Sequence, residues 1–273
     1  MGTSLQCTPV TRLLTRIQDI TPPQIRTFFS NPESLTNVHV LLNGQGKTLS
    51  HAFVEFNDEE AARTALRGAQ KNAVLGKGRR TRGVTVTMSG QAELMRSLFP
   101  SWKGTFDGQR PSLAGNSFPN SNPNPTNPNI ISTLETGLLT QTELSSLLHF
   151  IRAPDSHFLK VPSLPFYSLV SLLKKFPVDC DSRVFWGREV RDGLFEVLVV
   201  GIQVLMARVE RKRADGEEAE EEDMELVRMV FEAGMHCQGS YCHLEYGAYN
   251  ADPKLLMNSL HFPTNSETDF PCG

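Results

Sequence analysis

The hydrophobic spacing changes period several times before residue 106, and the order of the changes predicts alternating strands and helices. Residues 10–17 (VTRLLTRI) are a short β-branched and aliphatic stretch with interspersed basic residues, the pattern of a strand. Thr21-Pro22-Pro23 supplies an N-cap with proline at the first helical position, and Ile25, Phe28 and Phe29 follow at helical spacing until Asn31-Pro32 ends the run. Residues 38–42 (VHVLL) and 50–56 (SHAFVEF) are two strands joined by the turn cluster Asn43-Gly44-Gln45-Gly46-Lys47. Asn57, three residues ahead of Glu60, gives a capping-box-like start to a second helix whose face is Ala61, Ala62, Ala65 and Leu66. Residues 84–88 (VTVTM) alternate as a fourth strand, and residues 91–99 (QAELMRSLF) follow as a short amphipathic helix. The order β-α-β-β-α-β puts both main helices on one face of the sheet and leaves the other free, apart from what the closing helix covers.

Downstream the period is helical. Leu134, Leu138, Leu139, Leu144, Leu147, Leu148 and Ile151 fall at helix-compatible spacing, as do residues 166–176 (FYSLVSLLKKF) up to Pro177. Residues 183–213 read as one long amphipathic helix through Val190, Leu194, Val197, Leu198, Leu205 and Val209, and residues 224–235 as another. This pattern predicts an α-helical region, either independent of the first part or packed on it.

Composition separates the two parts. Residues 107–129 contain five prolines and six asparagines, too little apolar surface to offset the entropy of ordering them, so the segment reads as a linker. The expected organisation is a first domain over 8–106, the linker over 107–129, a helical region over 130–250 and a tail over 251–273. The 27 basic and 30 acidic residues divide 13 and 7 before residue 107 and 14 and 23 after it, so the net charge of −3 conceals +6 followed by −9. A basic first part points to a polyanionic partner. No run approaches the ~18 apolar residues of a membrane span, and the N-terminus lacks the pattern of a secretory signal, so an intracellular protein is expected, nucleus ahead of cytoplasm. The five cysteines are scattered and odd in number, which favours reduced thiols.

Enzyme motifs are missing from the sequence. It has no phosphate-cradling glycine motif, no Gly-x-Ser-x-Gly elbow and no His-Glu-x-x-His, and His236-Cys237 with Cys242-His243 lacks zinc-finger spacing. Neither catalysis nor a metal or other cofactor is expected. The candidate chemistry lies on the third strand, where period-two alternation puts Ala52, Val54 and Phe56 on one face and His51, Phe53 and Glu55 on the other. Flat side chains on a free sheet face are what unstacked bases need, and stacking contributes about 1 to 3 kcal/mol per base.

Residues 49–56 (LSHAFVEF) resemble the RNP1 motif of the RNA recognition motif (RRM) family. Ala52, Phe53, Val54 and Phe56 match it, His51 stands in its first aromatic slot, and Leu49 and Ser50 depart from its basic-Gly opening. Over roughly the first 102 residues the chain is similar to this family, and it looks like fungal proteins in which one such motif precedes a Pro/Asn-rich linker and a helical region. The resemblance implies an α+β, ferredoxin-like (RRM) sandwich plus a separate α-helical C-terminal region, with single-stranded RNA on the open face. The family's first-strand ring is replaced by Leu13, or by Leu14 in a shifted register, which is the pattern of degenerate RRMs. The expected RNA-binding residues are Phe53 with His51 assisting, Leu13 in the first-strand slot, and Arg12, Lys47, Lys77, Arg79, Arg80 and Arg82 on phosphates. The C-terminal helices would contact a protein, and the acidic run 217–223, if not simply solvated, would compete with RNA for the basic part. The second reading is a protein-interaction adaptor whose degenerate RRM does not bind RNA.

Overall fold

The structure is a computed structural model that describes residues 9–14, 20–69, 74–75, 82–113, 136–153, 159, 161–216 and 221–237. The first part runs β1 (Val10–Leu14), α1 (Pro22–Arg26), β2 (Leu35–Leu42), β3 (Thr48–Phe56), α2 (Glu59–Ala69), β4 (Val74–Leu75), β5 (Arg82–Gly83), β6 (Thr85–Ser89), α3 (Gln91–Leu98), β7 (Thr105–Asp107) and β8 (Arg110–Ser112). Strands pair antiparallel in the order β2-β3-β1-β6, the arrangement of an RRM-like α+β sandwich.

Local chemistry explains where these elements begin and end. Thr21 and Gln24 form the capping box of α1. The helix stops at Arg26, short of the expected Phe28 and Phe29, because those rings turn inward. They meet edge to face at 5.1 Å, and Phe29 packs on Phe56 at 5.6 Å. The β2–β3 turn closes on the Asn43 side chain, which accepts from the amides of Gln45 and Lys47, and Gly46 takes the left-handed conformation at φ 74°. The cap of α2 is Asp58, whose carboxylate accepts from the Ala61 amide; the expected Asn57 instead bonds to Thr36 and to the Glu33 carbonyl. Beneath the sheet, Ile25, Phe29, Val38, Val40, Ala52, Val54, Phe56, Ala62 and Val86 form one core, as the alternation of β3 requires. The β7–β8 hairpin carries ordered chain into the segment read as linker, with Phe106 and Pro111 buried.

The second part holds α4 (Gln141–Arg152), α5 (Leu164–Lys175), α6 (Ser182–Phe185), α7 (Arg188–Ala214) and α8 (Glu221–His236). Thr140 and Glu143 make the capping box of α4. The single helix expected over 183–213 is broken in two at Trp186 and Gly187, both in extended backbone, which lets the Trp186 ring turn inward against Phe176 at 5.3 Å. This helical part follows the sandwich in sequence and packs on the sheet face opposite α1 and α2. Val10, Leu41 and Phe53 of the strands share one core with Leu94, Met95 and Phe99 of the α3 region and with Phe166, Leu169, Leu173, Leu194 and Leu198 of the helices. Of the two arrangements compatible with the sequence, independent or packed, the molecule adopts the second: the helices and the sheet form one hydrophobic unit.

Candidate nucleic-acid interface

His51, Phe53 and Glu55 do lie together on the face of β3 away from α1 and α2, as period two requires, but helices cover most of that face. Phe53 is 0% exposed, and Glu55 and His39 are each 1% exposed. Burying a phenyl ring contributes about 1.5 to 3 kcal/mol, so Phe53 here stabilises the junction with α3 and has no open face for a base.

At the centre of the covered face sits a polar network. The Glu55 carboxylate accepts from Gln91 Nε2 at 2.6 Å, Asn37 Nδ2 at 2.9 Å and His39 Nε2 at 3.1 Å, and it pairs with the Lys175 ammonium from α5. Lys174 adds a bond to Asn37 at 2.9 Å. Burial alone would raise the Glu55 carboxyl, but the hydrogen bond from His39 and the neighbouring positive charge outweigh it and hold it far below the usual carboxylate range. Burial lowers His39 more than Glu55 raises it. A neutral His39 donating from Nε2 also fits its Nδ1, which is buried without a partner and could not carry a proton there cheaply.

The face stays open toward the β1–β6 side. There Arg12 donates to Glu93 Oε1 of α3, and its Nη2 lies 3.4 Å from His51 Nδ1. Ser89 donates to Glu93 Oε2 at 2.6 Å, and Ser97 lies 3.5 Å from His51 Nε2. His51 is half-buried and its ring packs edge to face on Phe53 at 5.2 Å; burial first, then the Arg12 charge, lowers its pKa. Leu14, His51 and Thr85 are register partners at one end of the sheet, and the β2–β3 turn with exposed Lys47 lies at that same end. Arg82 enters there on β5, whose pairing with β4 brings Leu75 beside Arg82. Lys77, Arg79 and Arg80 lie outside the described residues, as do the side chains of Leu13 and Arg82. The topology therefore puts Lys47, His51 and the β5 end of the basic segment at one end of the sheet, with the Arg12 side chain reaching His51 from the level of the covered Phe53.

Sequence reasoning missed Glu93, Gln91, His39 and Lys175. One signal was present: alternation places Glu55 on the supposed RNA face, where a bare carboxylate would repel phosphate, so a buried cation partner was called for. Where the acidic run is described, its buried carboxylate turns to the helical part and away from the basic first part. Asp223, its described buried member, pairs with Arg208 at 3.1 Å and Lys212 at 2.6 Å on α7, while residues 217–220 lie outside the described set. Of the four His and Cys residues near 240, His236 is exposed and Cys237 is buried in the helical core; Cys242 and His243 are outside the described residues.

Residues 13–106 match a family described as a domain of unknown function (DUF8400), and residues 136–244 match a second such domain (DUF8399). No curated protein matches the sequence. Among solved structures, the chain is similar to the first two RRM domains of yeast poly(U) binding protein Pub1, at 19% identity and a TM-score of 0.26 over 33% of this chain and 52% of that one. It is also similar to the qRRM2 domain of Glorund, at 23% identity and a TM-score of 0.27 over 33% of this chain and 98% of that one. The chain thus spans about half the length of the Pub1 chain, and likenesses this slight add nothing to what the strand order already says. Among the described residues no helix is long and apolar enough to cross a membrane.

Proposed function

We propose that this chain binds single-stranded RNA along the margin of its sheet, with the sheet centre given over to its own helices. The carrying observation is the placement of Lys47, half-exposed His51, Thr85 and the β5 end of the basic segment at one end of the sheet. Basic residues at the same end of the sheet as a half-buried imidazole suit a phosphate backbone with few stacked bases. On this reading Arg12, Lys47, Lys77, Arg79, Arg80 and Arg82 neutralise phosphates, His51 meets a base or sugar, and Phe53 supports the fold. No catalysis is assigned.

The test is titration of the full chain with random single-stranded RNA over a range of salt. Replacing Lys77, Arg79, Arg80 and Arg82 by Ala should weaken binding and flatten the salt slope by ~0.7 log units for each phosphate that is no longer neutralised. Absence of binding at low salt in the wild-type chain and in a Glu93→Gln variant would remove the reading. The adaptor reading would then stand, supported by a groove of about 580 Å³ between the β2–β3 turn, α3, α4 and α5, lined by Leu49, Leu98, Leu144, Leu147 and Phe150.

A further inference from the structure

Glu93 occupies Arg12 in a manner that a phosphate would reproduce. Its Oε1 takes the Arg12 Nη1 donor and its Oε2 takes the Ser89 hydroxyl at 2.6 Å, two donors on adjacent strands. A phosphodiester offers two non-bridging oxygens in the same way. Arg12 is suited to hold an anion there: it lies between Phe53 of β3 and Thr87 of β6, and its Nη2 is 3.4 Å from His51 Nδ1. The pair is not deeply buried, at 28% side-chain exposure for Arg12 and 41% for Glu93. Leu94, Met95 and Leu98 hold α3 to the sheet, so releasing the carboxylate leaves the helix in place.

We propose that Glu93 is an intramolecular mask on an Arg12-centred phosphate site, and that an RNA phosphate binds by displacing its carboxylate from Arg12 and Ser89. The inference rests on the RNA-binding reading above and adds regulation of that site by α3. Displacement exchanges one anion for another on the same guanidinium, so the masked cation releases little counterion when RNA arrives. Removing the mask lets Arg12 contribute fully.

The experiment measures binding of a short, fluorescently labelled single-stranded RNA of random sequence to the full chain as wild type, Glu93→Gln, Arg12→Ala and the double variant, each across a salt series. Glu93→Gln should tighten binding about threefold or more at low salt and steepen the salt dependence by ~0.7 log units per log unit of salt, one phosphate's worth. Arg12→Ala should cost more in the Glu93→Gln background than alone, and the double variant should bind no tighter than Arg12→Ala. Thermal unfolding of each variant distinguishes damage to the site from damage to the fold. RNA binding by Glu93→Gln where the wild type binds none supports the mask in its strongest form. Wild-type binding that Glu93→Gln leaves unchanged, or a gain that persists without Arg12, overturns the mask and spares the RNA reading. Absence of binding by both overturns both.

Discussion

Removing the Lys175 ammonium would take from the buried Glu55 carboxylate its ion-pair partner, leaving the neutral donors of Asn37, His39 and Gln91 in contact with it. Breaking a buried pair from one side costs about 3 to 5 kcal/mol, so Lys175→Met should lower stability by that order in urea unfolding, and adding Glu55→Leu should recover much of the loss. Recovery fails if the network, beyond satisfying itself, fixes how the helices seat. Protonation follows the same geometry. Burial holds His39 below its ordinary value of 6.5, so below that value the unfolded chain takes up a proton that the folded chain refuses, and stability falls as pH drops. Lowered His51 adds to this slope, whereas Glu55, held low, keeps its contribution until pH falls through the carboxylate range toward its own depressed value. The unfolding midpoint should therefore decline below about pH 6.5, and His39→Gln should lessen the slope; an unaltered slope would rule out His39 as its source. Phe53→Ala should cost about 3 to 5 kcal/mol of stability through the cavity it leaves, and the protein that remains folded should bind RNA as before.

At the scale of elements, close approach decides which residues are allowed. In the β7–β8 hairpin a side chain on Gly104 would place its Cβ 2.2 Å from the Ser112 carbonyl oxygen and 2.5 Å from the Trp102 ring, whose Nε1 donates to the Thr105 carbonyl. Backbone cannot give way as a flexible side chain can. Gly104→Ala should cost about 1 to 3 kcal/mol and alter the Trp102 fluorescence; a native spectrum with native stability would contradict the packing. Helix α7 depends on the same economy of space, with Gly201 meeting Leu169 of α5 at 3.1 Å and Gly193 meeting Leu144 of α4 at 2.9 Å from the added Cβ. Those small positions let α7 run against two helices at once.

For the whole molecule, the shared core has a consequence for dissection. The boundaries at 106 and 136 suggest two modules, yet Val10, Leu41 and Phe53 are buried with residues of the helical part. Residues 1–113 alone would expose that apolar face and leave Glu55 without Lys175. Expressed separately they should aggregate or stay poorly structured, and co-expression with residues 136–273 should yield a complex that elutes together on gel filtration. The full chain should unfold in a single calorimetric transition, whereas two well-separated transitions would show independent modules.

The strand order, the alternation of β3, the two hydrophobic periods and the cap at Thr21 were legible along the chain, because each depends on neighbours within a turn or a pleat; the break at Trp186 and the cap at Asp58 were not. The side of the sheet on which Phe53 points was legible too. What covers that side was not. Whether an aromatic residue faces water or a helix 120 residues away depends on long-range packing, and the same is true of the partners of Glu55, Arg12 and His39. Period two can place a ring on a face; only the tertiary structure places the helix above it.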